Sequence, residues 1–350
     1  MPYLAVHGVD HYYQWMTAKG IDRDPAKPVM VFIHGWGGSS RYWQSTAQAL
    51  TPDYDCLLYD LRGFGRSTQA GVSETPGDRQ PADPKAVDPK AVDPTALDPG
   101  AVNPGAMNPN AVDSKGNAPQ PIAEPWAGYS LESYGEDLRE LLDQLGLERI
   151  SLNAHSLGAS MALLFLNRYP QRLDRAILTC NGLLEYNALA FRLFHIFSRY
   201  VVLFRPRWFL QVPGLDRMFM SRFLHRSIPS SERRAFLEDF LDADFEAALG
   251  TAVKTVSQAM AEATPQEYQQ LQVPTLLVSG QYDQIITAPM GEAAAALNPQ
   301  VQYRRVARTG HFPMLEDAPT YLDYVREFLR SVPSSAADPT LKDPLPPEVA

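Results

Sequence analysis

Short apolar runs alternate along most of the chain with segments in which apolar residues recur every three or four positions. The short runs predict buried β-strands, and the longer period predicts amphipathic helices. The predicted strands are two within residues 3–16 and six more within PVMVFIH, YDCLLYD, RISLNAHS, DRAILTC, PTLLVSGQYD and VQYRRVA. The predicted helices cover residues 41–50, 131–145, 157–169, 289–297 and 321–329. Strands that alternate with helices favour an α/β fold with a mostly parallel sheet that helices cover on both faces.

A low-complexity segment interrupts this pattern at residues 69–128. A five-residue unit repeats within it from DPKAV to NPNAV, and eleven of the chain's 30 prolines lie there. The proline of each unit removes a backbone donor, which argues against a pentapeptide β-helix. One mid-sized apolar side chain per unit also buries too little surface to offset the entropy of ordering five residues. We therefore expect a disordered insertion, and we expect the same of the proline-rich tail at residues 332–350.

Residues 182–264 interrupt the alternation a second time, with helical sequence, and leave residues 1–68, 129–181 and 265–331 as the body. Seven arginines stand against two acidic residues between positions 182 and 229. Apolar side chains recur at helical spacing at Phe191, Phe194, Phe197, Val201 and Phe204, while Arg192, His195 and Arg199 lie on another face. Under one hypothesis the aromatic residues pack this region onto the body. Under another they form a lid over a bulky lipid-like substrate, with the arginines facing an anionic membrane surface.

Charge and cysteine usage exclude several function classes. The net charge is −9, which gives no electrostatic case for binding nucleic acid, since that requires a broad basic surface. Cys56 and Cys180 lie in strand-like runs without zinc or redox spacing, so both are predicted to be buried free thiols. The sequence has neither a signal-peptide pattern nor an apolar run long enough to span a bilayer, which makes the cytoplasm the expected location.

Three segments carry candidate catalytic residues. In LNAHSLGAS a strand runs directly into a helix, with Ala154 and Gly158 two positions on either side of Ser156. This is the pattern of a nucleophile elbow, in which small neighbours let the serine occupy a strained, exposed turn. Asp283 follows the next-to-last strand and His311 follows the last one. Because the carboxyl ends of parallel strands meet at one edge, the three are predicted to form a triad with nucleophile, base and orienting acid.

A fourth segment, FIHGWGGSS, ends a strand with closely spaced glycines. A tetrahedral oxyanion needs two backbone N–H donors, and we expect them from Trp36 in this loop and from Leu157 directly after the serine. His34 is interpreted as a structural residue that holds the loop. No metal or organic cofactor is required for this chemistry.

Together these segments resemble the α/β-hydrolase fold superfamily, in its serine esterase and lipase-like branch. HGWGG resembles the oxyanion loop of that family, YDLRGFGRS its loop after strand four, AHSLG its elbow, and GQYDQI and GHFPMLEDAP its acid and base segments. The resemblance implies an eight-stranded sheet and makes residues 182–264 a helical cap between strands six and seven. Some members carry the acid after strand six, where this chain has Asn181 and Glu185.

The expected function is that of a serine hydrolase that cleaves a small-molecule carboxylic ester or thioester through an acyl-serine intermediate. The substrate is a lipid-like molecule under the lid hypothesis, which also leaves open a peripheral contact between the cap and a membrane. A C–C bond hydrolase or a cofactor-free haloperoxidase-like enzyme would use the same triad and stays open as an alternative. A catalytically silent ligand-binding protein is the alternative from another class. The serine argues against haloalkane dehalogenases and epoxide hydrolases, whose nucleophile is an aspartate.

Overall fold

The computed structural model describes residues 2–20, 22–68 and 127–332. The prediction of a disordered insertion at residues 69–128 lies outside the described residues, except for its last two positions, which begin a short 3-10 turn at Ala127–Tyr129. The prediction of a disordered tail also lies outside them, apart from Val332.

Eight strands form a single sheet, as the sequence predicted. They are β1 (Tyr3–Val6), β2 (Val9–Met16), β3 (Val29–Ile33), β4 (Asp55–Tyr59), β5 (Ile150–His155), β6 (Leu173–Thr179), β7 (Thr275–Gly280) and β8 (Val301–Val306). Their spatial order is β1-β2-β4-β3-β5-β6-β7-β8. β1 and β2 pair antiparallel with their neighbours, and β3 to β8 are mutually parallel.

Helices flank the sheet and fill the segment between β6 and β7. They are α1 (Gln44–Leu50), α2 (Leu131–Gln144), α3 (Leu157–Arg168), α4 (Ala188–Leu203), α5 (Leu215–Met220), α6 (Ser230–Asp242), α7 (Phe245–Thr255), α8 (Gln258–Gln270), α9 (Ala288–Ala295), α10 (Pro313–Glu316) and α11 (Ala318–Ser331). The helix predicted from residue 41 begins instead as a 3-10 turn at Ser40–Trp43. None of the helices in the described ranges is long and apolar enough to cross a bilayer.

The alternation of side chains along β3 divides the core into two layers. Val31 and Ile33 point to the layer that contains the apolar faces of α2 and α3, while Met30 and Phe32 point to the layer of α1 and α11. All five residues of β3 are buried. Because β5, β7 and β8 run in the same direction as β3, the loops after them meet at one edge of the sheet.

Helices α4 to α8 lie in the segment for which the sequence predicted a helical cap at residues 182–264. The predicted boundary after residue 264 falls inside α8, which continues to Gln270. α8 packs on α3, and the Asn167 amide donates to the backbone carbonyl of Glu267 at 2.8 Å. This helix is therefore attached to the body, and so is α6, whose Asp239 carboxylate accepts the hydroxyl of Ser39 at 2.6 Å.

Candidate active site

Ser156 occupies the turn between β5 and α3 with φ 52° and ψ −117°. A non-glycine residue rarely adopts a positive φ, and such strain persists only where the surroundings enforce it. Its backbone N–H donates to the carbonyl of Thr179 on β6 at 2.9 Å, and its side chain is only partly buried. The turn thus has the strained geometry that the sequence predicted for a nucleophile elbow.

Small residues on both sides of Ser156 permit this turn. A Cβ atom at Gly158 would lie 2.4 Å from the carbonyl oxygen of His34, so only glycine lets the start of α3 approach the loop after β3. Ala154 is fully buried in β5, and its methyl group belongs to the core layer of α2 and α3. An alanine at this position is therefore compatible with the elbow.

The structure brings the three predicted triad residues together. Nε2 of His311 lies 2.9 Å from Oγ of Ser156, and Nδ1 of His311 lies 2.7 Å from Oδ2 of Asp283. The other carboxylate oxygen, Oδ1, accepts the backbone N–H groups of Ile285 and Ile286. Both oxygens of this buried carboxylate are therefore hydrogen-bonded, and the acid is fixed against the imidazole.

The loop of one predicted oxyanion donor, Trp36, lies against the serine, since a Cβ atom at Gly35 would be 3.1 Å from Cβ of Ser156; the other donor, Leu157, follows the serine directly. Leu157 is the first residue of α3, so its N–H has no partner within the helix. Among the described residues, the N–H of Trp36 also makes no backbone or side-chain hydrogen bond. The indole of Trp36 donates to the carbonyl of Ala248 on α7 at 2.8 Å and lies 5.5 Å from the Phe240 ring. This contact ties the loop to the helical segment, and the sequence did not predict it.

His34, which the sequence analysis interpreted as a structural residue, and Asp60 hold the neighbouring loops. Nε2 of His34 accepts the N–H of Leu61 at 2.9 Å, which leaves Nδ1 to donate to the carbonyl of Gly35 at 2.8 Å. Burial lowers the pKa of His34, so this neutral form is maintained. The Asp60 carboxylate accepts the backbone N–H groups of Ser40 and Arg66.

A buried chain of hydrogen bonds connects the oxyanion loop to His311, and sequence reasoning missed it. The N–H of Gly35 donates to the hydroxyl of Tyr42, which lies 3.0 Å from Nδ1 of His155. Nε2 of His155 lies 2.7 Å from the carbonyl oxygen of His311. A carbonyl only accepts, so Nε2 carries the proton of His155 and Tyr42 donates to Nδ1. Burial, followed by the charge of His311, lowers the pKa of His155 well below its usual range.

Glu316 is a second residue that the sequence analysis did not identify. Its buried carboxylate accepts the backbone N–H of Gly310 at 2.8 Å and those of His225 and Arg226 at 2.7 and 2.6 Å. The N–H of His311 itself donates to the carbonyl of Phe223 at 2.6 Å. The loop that carries the candidate base is thus fixed to the segment after α5.

The positions after β6 do not supply the acid. Asn181 bonds to Ser160 and Tyr268, and Glu185 is exposed. Cys180 and Cys56 are buried free thiols, as predicted. The thiol of Cys180 lies close to His155 and His311, but both nitrogens of each imidazole are already hydrogen-bonded. Burial, and then the charge of Asp283, raises the pKa of Cys180 well above its usual range, so it is a neutral neighbour of the triad.

The comparisons with known proteins agree with this geometry. A sequence model of the alpha/beta hydrolase fold matches residues 28–318, and the chain belongs to this family. An uncharacterised protein of Mycobacterium tuberculosis is 26% identical over 313 residues, which cover 86% of this chain and 75% of the relative. A protein of Stutzerimonas stutzeri, provisionally named the carbamate hydrolase RutD, is 24% identical over 311 residues, which cover 87% of this chain and 94% of the relative.

Solved structures share the fold at lower sequence identity. The bromoperoxidase of Bacillus anthracis aligns with a TM-score of 0.65 and 17% identity, over 92% of this chain and 96% of its own. At this identity the likeness shows a common fold and leaves the reaction open.

Proposed function

We propose that this protein is a serine hydrolase that cleaves a carboxylic ester or thioester through an acyl-Ser156 intermediate. The observation that carries the proposal is the hydrogen-bonded series from Ser156 through His311 to Asp283, with the serine held on a strained turn. A serine hydroxyl becomes a good nucleophile only when an adjacent base takes its proton, and this geometry provides that base.

In the proposed reaction, Oγ of Ser156 attacks the carbonyl carbon and its proton passes to Nε2 of His311. The carboxylate of Asp283 holds the imidazole in the required tautomer and stabilises the imidazolium. The N–H groups of Trp36 and Leu157 stabilise the oxyanion, each by about 3 kcal/mol in the transition state. The imidazolium then protonates the departing alcohol or thiol, and a water activated by the same histidine releases the acid.

An apolar, lipid-like acyl group is the substrate type that the surroundings of the site favour. The ring of Phe223 lies 6.1 Å from that of His311, and Phe240 contacts both Trp36 and Phe219. These aromatic residues come from the helical segment between β6 and β7, which supports its role as a cap over the site. The domain division and the cytoplasmic location predicted from the sequence remain predictions.

A series of p-nitrophenyl esters with increasing acyl chain length tests the proposal. We expect hydrolysis with a kcat/KM that rises with chain length, and loss of turnover in Ser156→Ala. Ser160→Ala is the matched control, because Ser160 lies one helical turn further along α3 and bonds to Asn181. Absence of ester and thioester hydrolysis by folded protein would contradict the proposal.

The haloperoxidase-like alternative is favoured by the shared fold with the bromoperoxidase of Bacillus anthracis. It is separated from ester hydrolysis by an assay in which an organic acceptor is brominated in the presence of bromide, hydrogen peroxide and a carboxylic acid. Bromination at rates above those of ester cleavage would favour the haloperoxidase-like alternative. Cleavage of a C–C bond in place of an ester bond would favour a C–C hydrolase.

A further inference from the structure

Helix α4 exposes a continuous apolar face. The outer α4 face consists of Leu189, Leu193, Ile196, Phe197, Tyr200 and Leu203, all of which are exposed. Phe197 and Tyr200 retain 68% and 67% of their surface. At 3.6 residues per turn these six side chains fall on one side of the helix. Phe194 and Phe204 are exposed as well, so the hypothesis that these aromatic residues pack the region onto the body is wrong for most of them.

The opposite face of α4 holds the helix in place. His195, Ser198 and Val202 are buried, and Nε2 of His195 donates to the carbonyl of Val256 at 2.6 Å. His195, which the sequence places on a face with Arg192 and Arg199, is therefore buried. Arg205, just after the helix, donates to the carbonyls of Phe240 and Ala243. With its inner face committed to these contacts, the outer α4 face cannot turn inward without breaking them.

The surroundings of the outer α4 face are basic. The helix contains no acidic residue, and Arg192 and Arg199 lie along one edge of the face. In the described part of the chain, neither arginine has an ion-pair partner. Asp216 pairs with Arg233 and the Asp242 carboxylate pairs with Arg207, while Glu185 before the helix is exposed. The face thus combines apolar side chains with two arginines along one edge.

We propose that the outer α4 face docks on an anionic lipid bilayer. A helix that is apolar on its exposed side, bordered by arginines and too short to span lies in the membrane interface, with its apolar face in the acyl boundary. The arginines would meet the negative charge of the lipid headgroups. A second copy of this chain is a poorer occupant. In a two-fold interface the same patch of both copies meets, so the arginines that border the two faces would share one interface in which α4 offers no acidic partner. Trp208, which follows α4 and is exposed, has the amphipathic side chain typical of that interface.

This surface is structurally connected to the candidate active site. Val201 on the flank of α4 packs against the cluster of Leu237, Phe240 and Leu241, and Phe240 contacts Trp36 in the loop after β3. Docking would therefore place the site next to the bilayer, where a lipid-like ester is concentrated. This link to substrate supply rests on the proposed ester hydrolysis, but the docking itself does not.

Vesicle co-sedimentation tests the docking, with Ser156→Ala protein so that no lipid is consumed. Vesicles of phosphatidylcholine alone are compared with vesicles that also contain phosphatidylglycerol. The two test variants are Leu193→Ser with Tyr200→Ser, and Arg192→Gln with Arg199→Gln. The matched controls are Tyr3→Ser and Lys19→Gln, which change an exposed tyrosine and an exposed cation elsewhere.

We expect binding to the anionic vesicles that either test variant weakens at least tenfold and the controls leave unchanged. High salt should weaken the binding. When the same substitutions are made in protein that retains Ser156, turnover of a short soluble ester should be unchanged. Binding that the variants do not change, or no binding to either vesicle, would overturn the proposal. Analytical ultracentrifugation tests the alternative occupant. If the parent protein is a dimer and the Leu193 and Tyr200 substitutions dissociate it, the face belongs to an interface with a second copy instead. Vesicle binding by a protein without esterase activity would refute the proposed function and leave the docking intact.

Discussion

The hydroxyl of Tyr42 lies 3.0 Å from Nδ1 of His155, and neither side chain is exposed to solvent. This pair connects two parts of the candidate site that the chain brings together from distant positions. Through Tyr42 it contacts the Gly35 amide beside Trp36, the proposed oxyanion donor, and through His155 it contacts the backbone of His311. The pair touches no reacting atom, so we assign it a positioning role for the oxyanion loop and the base.

Tyr42→Phe should lower kcat of ester hydrolysis about tenfold with little change in KM. Loss of one buried hydrogen bond costs about 1–1.5 kcal/mol, and misplaced oxyanion donors weaken transition-state binding more than substrate binding. Steady-state kinetics on a soluble ester measure this split. Tyr13→Phe is the control, since Tyr13 is half-buried and its hydroxyl bonds to no described residue. An unchanged kcat, or a rise in KM alone, would argue against positioning.

Asp283→Asn should retain the fold and lose most activity, by about 10⁴-fold, because the amide would favour the wrong tautomer of His311. The matched change Glu185→Gln should have no effect, since Glu185 is exposed and apart from the triad. Circular dichroism shows whether each variant is folded, and kcat of ester hydrolysis measures its activity. Nearly full activity in Asp283→Asn would mean that another group orients the base.

Gly280→Ala should destabilise the protein strongly. A Cβ atom there would lie 1.8 Å from the carbonyl oxygen of Gly310, where the end of β7 passes the loop of His311. Backbone would have to move, at a cost of about 3 kcal/mol or more. Gly135→Ala in α2 is the contrasting case, because its Cβ would meet only the Phe165 ring at 3.9 Å. It should stabilise the helix by about 0.5–1 kcal/mol. Urea unfolding compares the two, and equal stabilities would refute the close approach.

The free energy of unfolding should fall as the pH is lowered from about 6.5 towards 4. Burial lowers the pKa of His11 to about 4, whereas an unfolded histidine titrates near 6.5. In this window the unfolded chain binds a proton that the folded chain does not, so acid favours unfolding, by up to about 3 kcal/mol for this residue. His34 and His155 act in the same direction, since burial lowers the pKa of each.

The free energy of unfolding is measured at pH 7.5 and at pH 5. Its change between the two pH values gives the number of protons taken up on unfolding. His11→Gln should reduce that uptake, because it removes the buried imidazole with the lowered pKa. A stability that does not vary between these two pH values would contradict this account of the buried histidines.

The sequence predicted the sheet and the proximity of Ser156, Asp283 and His311, because these depend on local patterns. Apolar runs locate the strands, and parallel strands bring the residues after them to one edge. It could not predict Tyr42, His155 and Glu316 as positioning residues. Their partners lie far away along the chain, at separations of 113 and 91 residues for Tyr42 with His155 and Glu316 with His225. Only tertiary packing determines such pairs.

The sequence also could not predict which side of α4 is exposed. Its helical spacing of aromatic residues is the usual sign of a buried face, and the structure buries the narrower face of His195, Ser198 and Val202 instead. Which side of an apolar helix is covered depends on its neighbours. Here α7 covers only the inner side.

Labelling with a fluorophosphonate probe, followed by peptide mass spectrometry, tests the central claim that Ser156 is an activated nucleophile. The account predicts one adduct, on Ser156, with labelling abolished in Ser156→Ala and slowed by at least two orders of magnitude in His311→Ala. Ser160→Ala should label like the parent protein. No adduct on folded protein, as expected of a silent ligand-binding protein, or equal labelling of the parent and Ser156→Ala, would contradict the claim.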